Sequence, residues 1–165
     1  MLIRMILLII VLVTGLLVLA GQSGLLSGKT PTNLGVKDGL LKPPSNTENS
    51  VSSQMAYYPD HLMREYADIA PIAFTGSREL AWQKLEQVVG SLPRTSIIAN
   101  KQIGQGRYLY AQSSTLVFRF TDDVEFFMND ADQVIHMRSA SRLGRKDFGA
   151  NRARLEAVRL AFNSN

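Results

Sequence analysis

Cysteine is absent from the 165-residue sequence. A structural disulfide, a thiolate zinc site and a cysteine nucleophile are therefore excluded. A lipid attached through cysteine near the N-terminus is excluded for the same reason. Leu19-Ala20-Gly21 resembles the start of a bacterial lipoprotein processing site, but the next residue is Gln22, where such a site needs cysteine.

A strong excess of one charge is also missing. The 18 basic and 14 acidic residues give a formal net charge of only +4, although the calculated pI is 9.6. A nucleic-acid-binding protein usually has a larger and more clustered basic excess, so no nucleic-acid partner is predicted. Internal repeats are missing too, and after its N-terminal segment the chain has room for one domain of about 100–120 residues.

Residues 5–20 form an almost wholly apolar run that follows Arg4. Such a run is either a secretory signal peptide or a single membrane anchor, and its length favours an uncleaved anchor over residues 1–21. Because Arg4 keeps the N-terminal end in the cytoplasm, the chain is predicted to cross a bacterial cytoplasmic membrane once, with the remainder in the periplasm. Cleavage after Val18-Leu19-Ala20 would instead give a secreted protein.

The rest of the chain divides into two parts. Residues 22–56 are rich in Gly, Ser, Thr, Asn and Pro, which is typical of a flexible tether. Residues 57–165 are predicted to form a single α+β domain, in which two main helices pack on one face of a four-stranded antiparallel meander sheet. The other face is then a groove, a docking surface, or a patch covered by residues 57–75. The predicted elements are a helix from Ser77 to Gly90, strands over 95–99, 108–113, 116–128 and 134–141, and a final helix capped by Asn151.

The last two strands carry most of the clustered charge. Residues 116–128 and 134–141 alternate apolar with polar side chains, which predicts two strands joined by a turn at 129–132. A pairing that matches apolar with apolar residues also matches opposite charges on the other face. The predicted neighbours are Phe126 and Ile135, Glu125 and His136, and Asp123 and Arg138.

Four of these side chains form a candidate polar network on the outer face of the sheet: Asp123, Glu125, His136 and Arg138. Carboxylates with one imidazole suit a divalent metal. Arg138 would repel such a cation, so a cross-strand charge network is favoured and no metal ligand or cofactor is predicted.

A hydrolase triad is the alternative for the same region. It would combine His136 with Ser139 or Ser141 and with Asp147 or Asp123. Successive residues of a strand point to opposite faces, so Ser139 should point away from His136. No nucleophile-elbow motif surrounds either serine, and no catalytic residue is predicted.

Basic residues surround the loop that leads into the final helix. A helix N-terminus attracts anions, and arginine binds phosphate or carboxylate through two donors. The loop contains Gly144 and Gly149, which would let backbone amides approach a ligand. The alternative is a solvated basic loop in which Asp147 and Asn151 cap the helix. The candidate anion-binding residues are Arg138, Arg142, Arg152 and Arg154.

Three blocks of sequence resemble the family called domain of unknown function 1499 (DUF1499). They are Val51-Ser52-Ser53-Gln54, residues 122–126 and residues 135–159, within a resemblance that spans about residues 38–162. The resemblance implies a shared fold but no activity, because none is assigned to the family. Its members usually carry two cysteines that flank a proline-rich segment before the first block. Residues 42–50 contain neither, so any structural or metal-binding role of those cysteines is lost here.

These observations leave three functional hypotheses open. The favoured one is a membrane-anchored extracytoplasmic binding or accessory module of the cell envelope, because the sequence has an anchor and a tether but no credible catalytic set. Its predicted partners are the membrane, through residues 5–20, and an envelope protein or anionic ligand. The second is a hydrolase-like or metal-dependent enzyme that uses Asp123, Glu125 and His136. The third is a structural envelope-assembly protein without a ligand.

Overall fold

The computed structural model describes residues 1–129, 131 and 133–164. A long N-terminal helix is followed by short strands, turns and a one-turn helix. A 14-residue helix, four long strands and a final helix then complete the chain. The elements are α1 Leu2–Gln22, β1 Val36–Lys37, β2 Leu40–Leu41, β3 Ser50–Ser52, a 3₁₀ turn Met55–Tyr57, α2 Arg64–Ala67, β4 Ile72–Ala73, α3 Arg78–Ser91, β5 Thr95–Ile103, β6 Gly106–Ser114, β7 Thr121–Met128, β8 Val134–Ser141 and α4 Ala150–Ser164. The predicted mixture of helix and antiparallel sheet is confirmed.

The main sheet has six antiparallel strands rather than the predicted four. Its order is β3-β8-β7-β6-β5, and β4 also pairs with β8. The four predicted strands are β5 to β8, in the order of a meander. The two additional strands cover the outer edge of β8, where Ser52 lies opposite Arg138 and Ile72 opposite Ile135. They satisfy backbone groups that an open edge would leave unpaired.

Helices α3 and α4 bury one face of this sheet. Ser77 caps α3 as predicted, since its Oγ accepts a hydrogen bond from the Leu80 amide at 3.4 Å. The apolar side chains of both helices recur at helical spacing and meet the inward residues of the central strands. The core includes Leu85, Val88 and Val89 of α3, Leu155, Val158 and Phe162 of α4, and Leu109, Val124, Phe126 and Met137 of the sheet.

The start of α4 differs from the prediction that Asn151 caps it. Asn151 lies inside the helix and is fully buried. The carboxylate of Asp147 accepts hydrogen bonds from the amides of Gly149 and Asn151 at 2.9 and 3.1 Å. Asp147 therefore satisfies the free amides at this end of the helix.

The predicted pairing of β7 with β8 is wrong by two residues. Glu125 lies opposite Arg138 rather than His136, and Asp123 lies opposite Ala140 rather than Arg138. A shift of two residues keeps every side chain on its predicted face, so alternation alone does not distinguish the two pairings. Of the turn predicted at 129–132, Asp130 and Asp132 lie outside the described residues.

Residues 116–120 were predicted to begin a strand, but β7 starts only at Thr121. The preceding residues form a loop instead, and two hydrogen bonds between Thr115 and Phe120 close it. The Thr115 amide donates to the carbonyl of Phe120 at 3.0 Å, and the Phe120 amide donates to Oγ1 of Thr115 at 3.0 Å. Arg119 adopts a left-handed conformation with φ of 55°, which no extended strand permits.

The second face of the sheet is covered by residues 29–45, the strap. A flexible tether was predicted over 22–56, but this part of it contains two strands and packs on the sheet. Of the three alternatives left open for this face, a cover is what the structure has, although residues 29–45 rather than 57–75 provide it. Strands β1 and β2 form a hairpin whose turn residues have φ of 53° and 77°, the positive values that a two-residue turn of this kind requires. Leu34, Val36 and Leu41 of the strap pack against Tyr108, Tyr110 and Phe127 of the sheet.

Helix α1 projects its apolar side chains outward. Its 21 residues are long and apolar enough to cross a membrane, and none of the apolar window is buried within the protein. A signal sequence would meet the same description. The C-terminal end of α1 touches the domain directly, because a Cβ at Gly21 would overlap the backbone of Phe118. Helix α1 and the domain are therefore in direct contact.

Candidate anion-binding site

Two buried carboxylates lie on the strap side of the sheet, and each is held by an arginine and a tyrosine. The first is Glu125, which is fully buried. Its Oε1 accepts hydrogen bonds from the Tyr108 hydroxyl and the Gly35 amide, both at 2.8 Å. Its Oε2 accepts one from the Arg138 guanidinium at 2.8 Å. These contacts join β6, β7, β8 and the strap at one carboxylate.

The second carboxylate is Asp123. Its partner is Arg142, whose Nε and Nη2 reach the carboxylate at 2.7–3.1 Å, and not Arg138 as predicted. The Tyr110 hydroxyl also donates to Asp123 at 2.6 Å and accepts from Arg142 at 3.0 Å. The hydrogen bond to Asp123 raises the pKa of Arg142, so the guanidinium stays protonated over the whole physiological range.

The two tyrosines serve as donors in this network. Burial, followed by the nearby Glu125 carboxylate, raises the pKa of Tyr108 above its ordinary value. Burial and the hydrogen bond to Asp123 raise the pKa of Tyr110. Both hydroxyls therefore keep their protons at neutral pH and donate hydrogen bonds to the carboxylates.

A cavity of about 220 Å³ opens beside this network, where β7 begins and β8 ends. The strap forms one wall and the end of β8 forms the other. Its lining residues are Lys29, Pro31, Lys42, Pro43, Pro44 and Ser45 of the strap, with Asn49, Asp123, Arg138, Ala140, Ser141 and Arg142. This strap pocket brings together residues that are separated by about a hundred positions in the sequence.

Positive charge predominates in the strap pocket. Four of its lining side chains are basic and only Asp123 is acidic. Burial, then the charge of Arg138, lowers the pKa of Lys42 below its usual value, and Glu125 and Asp123 oppose this only in part. Among the described residues, no carboxylate forms an ion pair with Lys42.

Arg138 also has an unused donor. Its side chain is 4% exposed, and Nη1 is bound to Glu125 at 2.8 Å. Its buried Nε has no hydrogen-bond partner within the described part of the chain. A buried N–H without a partner is unfavourable, so an acceptor placed here would be bound with a gain in free energy.

The larger grooves on the surface have a different character. Two of them, of about 540 and 500 Å³, run along α3 and α4. The only charged side chain that lines either groove is Lys84. Clustered basic chemistry therefore belongs to the strap pocket and not to the largest openings.

The other two predicted anion-binding arginines lie outside the pocket lining. Arg152 donates to the carbonyls of Tyr66 and Asp68 at 2.6 and 2.7 Å. Arg154 donates to Asp122 at 2.6 Å and to the Ser139 hydroxyl at 2.9 Å. Both side chains attach α4 to neighbouring elements, and the structure brings only Arg138 and Arg142 together.

The residues of the hydrolase alternative are engaged elsewhere. The Ser139 hydroxyl donates to Oδ1 of Asn151 at 2.6 Å, and the Ser141 hydroxyl accepts from Nδ2 of the Asn151 side chain at 3.0 Å. Burial raises the pKa of Asp147, but hydrogen bonds, from the Tyr66 hydroxyl above all, outweigh it and lower the pKa overall. The Nδ1 of His136 lies 3.4 Å from the hydroxyl of Ser53, a serine outside the predicted triad.

The metal alternative has no support from the geometry. Within residues 1–129, 131 and 133–164, no group of three His, Asp or Glu side chains is arranged to hold a metal ion. His136 lies opposite Phe127 and not opposite Glu125. Arginine guanidinium groups occupy the acceptor sites of Asp123 and Glu125 that a cation would need.

The strap residues of the pocket were not predicted from the sequence, and neither was the role of Gln54, whose side chain holds the strap in place. Gln54 is buried, and its Oε1 accepts from the Leu41 amide at 2.8 Å while its Nε2 donates to the Gly39 carbonyl at 3.1 Å. These bonds hold the hairpin over the sheet and so position Lys42. The Asp38-Gly39 dipeptide was the available signal, because it is a strong marker of a two-residue hairpin turn.

Comparison with known proteins identifies a family for most of the chain. Residues 40–162 match the family described as "Protein of unknown function (DUF1499)". The comparisons with curated proteins and with solved structures found no match. The matched range includes β2, Gln54, both carboxylates and both pocket arginines, but begins after most of the strap.

Proposed function

We propose that this chain, which belongs to the DUF1499 family of proteins of unknown function, is a membrane-anchored module that binds a compact oxyanion in the strap pocket. Helix α1 holds it in the bacterial cytoplasmic membrane, and the domain faces the periplasm. No chemical step is assigned to it, and its role is recognition.

The observation that carries this proposal is the incomplete neutralisation of the strap pocket. Asp123 and Glu125 each pair with one arginine, while among the described residues neither lysine of the lining forms an ion pair and the buried Nε of Arg138 has no acceptor. Partial burial of Lys42 beside the charge of Arg138 is unfavourable. An oxyanion in the cavity would accept from Arg138 and raise the lowered pKa of Lys42 towards its ordinary value.

The size of the cavity limits the ligand. Its volume of about 220 Å³ is below the roughly 300–1,000 Å³ typical of sites for drug-sized molecules. A phosphate, sulfate or carboxylate group fits this description, and guanidinium and ammonium donors suit all three. The ligand is therefore a small anion or the anionic end of a larger molecule.

The anchor and its orientation rest on α1 and its flank. The helix is outwardly apolar along its length, and Arg4 near its N-terminus favours the cytoplasmic side for that end. A C-terminal fusion to a reporter enzyme that is active only after export to the periplasm should be active. A C-terminal fusion to a reporter that is active only in the cytoplasm should be inactive. The reverse pattern would contradict this orientation.

Titration calorimetry with sulfate on the full chain in detergent micelles tests the binding proposal. Sulfate keeps its charge across the working pH range, so any pH dependence belongs to the protein. We expect one saturable site in the wild type and about fivefold weaker binding in Lys42→Gln, which corresponds to the loss of about 1 kcal/mol of charge interaction. Affinity should also fall as pH rises through the lowered pKa of Lys42, and this decline should be absent from the variant.

Lys37→Gln is the matched control. Lys37 lies on the same strap, is exposed, and does not line the pocket. It should bind sulfate like the wild type. Equal losses of sulfate affinity in the two variants would mean that sulfate binds through the overall positive charge and not in the pocket, which would contradict the proposal. The absence of saturable binding to the wild type would overturn it as well.

A further inference from the structure

The loop of residues 115–120, the interface loop, exposes a cluster of apolar side chains. Leu116 is 66% exposed, Val117 46% and Phe120 36%. Leu25, which follows α1, is 78% exposed. Soluble surfaces seldom carry adjacent large apolar side chains in one short loop, and such a patch marks a contact with a partner or a membrane.

The interface loop lies against the C-terminal end of α1. Gly21 packs so closely on the backbone of Phe118 that a Cβ would overlap it. The Gln22 side chain donates to the carbonyl of Val117 at 3.2 Å and accepts from Nε of Arg119 at 3.3 Å. The loop is therefore fixed to the last turn of the helix rather than carried at a distance from it.

The length of α1 sets the depth of this loop. At about 1.5 Å per residue, a helix of 21 residues is about 31 Å long, close to the roughly 30 Å of a bilayer hydrocarbon core. When α1 spans the membrane, its C-terminal end reaches the boundary between acyl chains and headgroups. The interface loop then lies at that boundary, where apolar side chains are partly buried.

The charges around the interface loop also fit a position at the boundary between acyl chains and headgroups. Between Ser113 and Thr121 the sequence contains no acidic residue. Arg119 is exposed within the loop, and the exposed Arg94 donates to the carbonyl of Ser114 beside it. Basic side chains that flank an apolar loop can reach lipid phosphates while the apolar groups enter the bilayer.

We propose that the interface loop and Leu25 form a membrane-contact surface that seats the domain directly on the lipid bilayer beside α1. The occupant of the exposed apolar patch is the bilayer of the anchor itself. This inference rests on the retention of α1 proposed above. Its consequence is that the domain is held close to the membrane surface and does not move freely on a tether.

The absence of cysteine allows a direct test on the full chain. Single cysteines introduced by Leu116→Cys, Leu12→Cys and Leu160→Cys are labelled with an environment-sensitive fluorophore, and each protein is reconstituted into vesicles of phosphatidylcholine and phosphatidylglycerol. Leu160 is the matched control, because it is an apolar side chain of α4 with 67% exposure, nearly that of Leu116. Spin-labelled lipids then report which positions reach the bilayer.

The label at position 116 should shift its emission to the blue and be quenched several-fold more by spin-labelled lipid than the label at position 160. The label at position 12 reports whether α1 is inserted. Quenching at 12 with equal, weak quenching at 116 and 160 would overturn the membrane-contact surface and leave the anchor intact. Absence of quenching at 12 would overturn both.

Discussion

At the scale of single residues, the strap side of the sheet is a polar core. Glu125 and Arg138 form an ion pair in which the two side chains are 0% and 4% exposed. A buried pair of this kind gains little net stability over apolar residues, but removing one partner leaves an uncompensated charge. The hydroxyl of Tyr108 and the amide of Gly35 donate the other hydrogen bonds that Glu125 accepts.

This arrangement gives a prediction for Arg138→Ala. The variant should lower the free energy of unfolding by about 3–5 kcal/mol, because Glu125 loses its cationic partner while buried. Lys146→Ala, which breaks a pair with Glu48 whose side chains are 63% and 45% exposed, should cost less than about 1 kcal/mol. Urea unfolding followed by the fluorescence of Trp82, the only tryptophan, measures both.

The pairing itself is tested by double mutants. Arg138→Ala should be non-additive with Glu125→Gln, since these side chains touch, and closer to additive with Asp123→Asn. Additive losses with Glu125→Gln would show that the observed register of β7 and β8 is wrong.

The face on which each of these residues lies was predicted correctly from the sequence, but their partners across the strands were not. A strand alternates with a period of two, so the inward and outward positions of β7 and β8 could be predicted. Asp123 with Arg138 and Glu125 with Arg138 are both favourable pairs, so charge alone does not distinguish the two registers. The apolar residues do not distinguish them either, because Phe126 opposite Met137 is as favourable as Phe126 opposite Ile135.

At the scale of elements, the long helices and central strands could be predicted, and the short strands could not. Helix α3 has a serine cap and a clear apolar stripe, both of which are local signals. Strands β3 and β4 have three and two residues, too few for any periodicity to appear. They are extended because the edge of β8 offers partners for their backbone, which is a property of the folded sheet.

The strap was missed because its composition is that of a linker. Residues 22–56 are rich in Gly, Ser, Thr, Asn and Pro, and their apolar residues show no long periodic pattern. Its position depends on Asp38-Gly39, which reverses the chain, and on Gln54, which binds both sides of the turn. The first is a local signal, while the second acts only in the folded structure.

Gly39→Ala tests the contribution of this turn. Gly39 has φ of 77°, and a Cβ there would meet no atom within 4 Å, so any effect comes from the backbone alone. We expect a loss of about 1 kcal/mol in the free energy of unfolding and faster hydrogen exchange at the Leu41 amide.

Gly90→Ala provides the control for that substitution. Gly90 lies in α3 without a positive φ, and a Cβ there would meet only the Cδ1 of Ile97 at 3.9 Å. Alanine should be neutral or stabilising by up to about 1 kcal/mol at this helical site. Equal effects of the two variants would mean that the turn at Gly39 does not require its left-handed conformation.

At the scale of the whole molecule, the two faces of the sheet have different roles. The face under α3 and α4 is an apolar core, whereas the strap face combines a small aromatic cluster with buried charge. The strap pocket exists only where these parts meet, since Lys42 and Arg142 are far apart in sequence. Arg138 and Arg142 could therefore be proposed from sequence as ligand-binding residues, but the two lysines that complete the pocket could not.

Mapping of sulfate binding by amide NMR of the full chain in micelles tests the central claim most directly. The account predicts saturable shifts, with a common affinity, at the amides that line the strap pocket, including Ser45, Asn49 and Ala140. The amides of Arg152 and Arg154 should remain unchanged at the same concentrations. Shifts centred on these two arginines, or shifts that grow linearly at every basic surface, would contradict an anion site in the strap pocket.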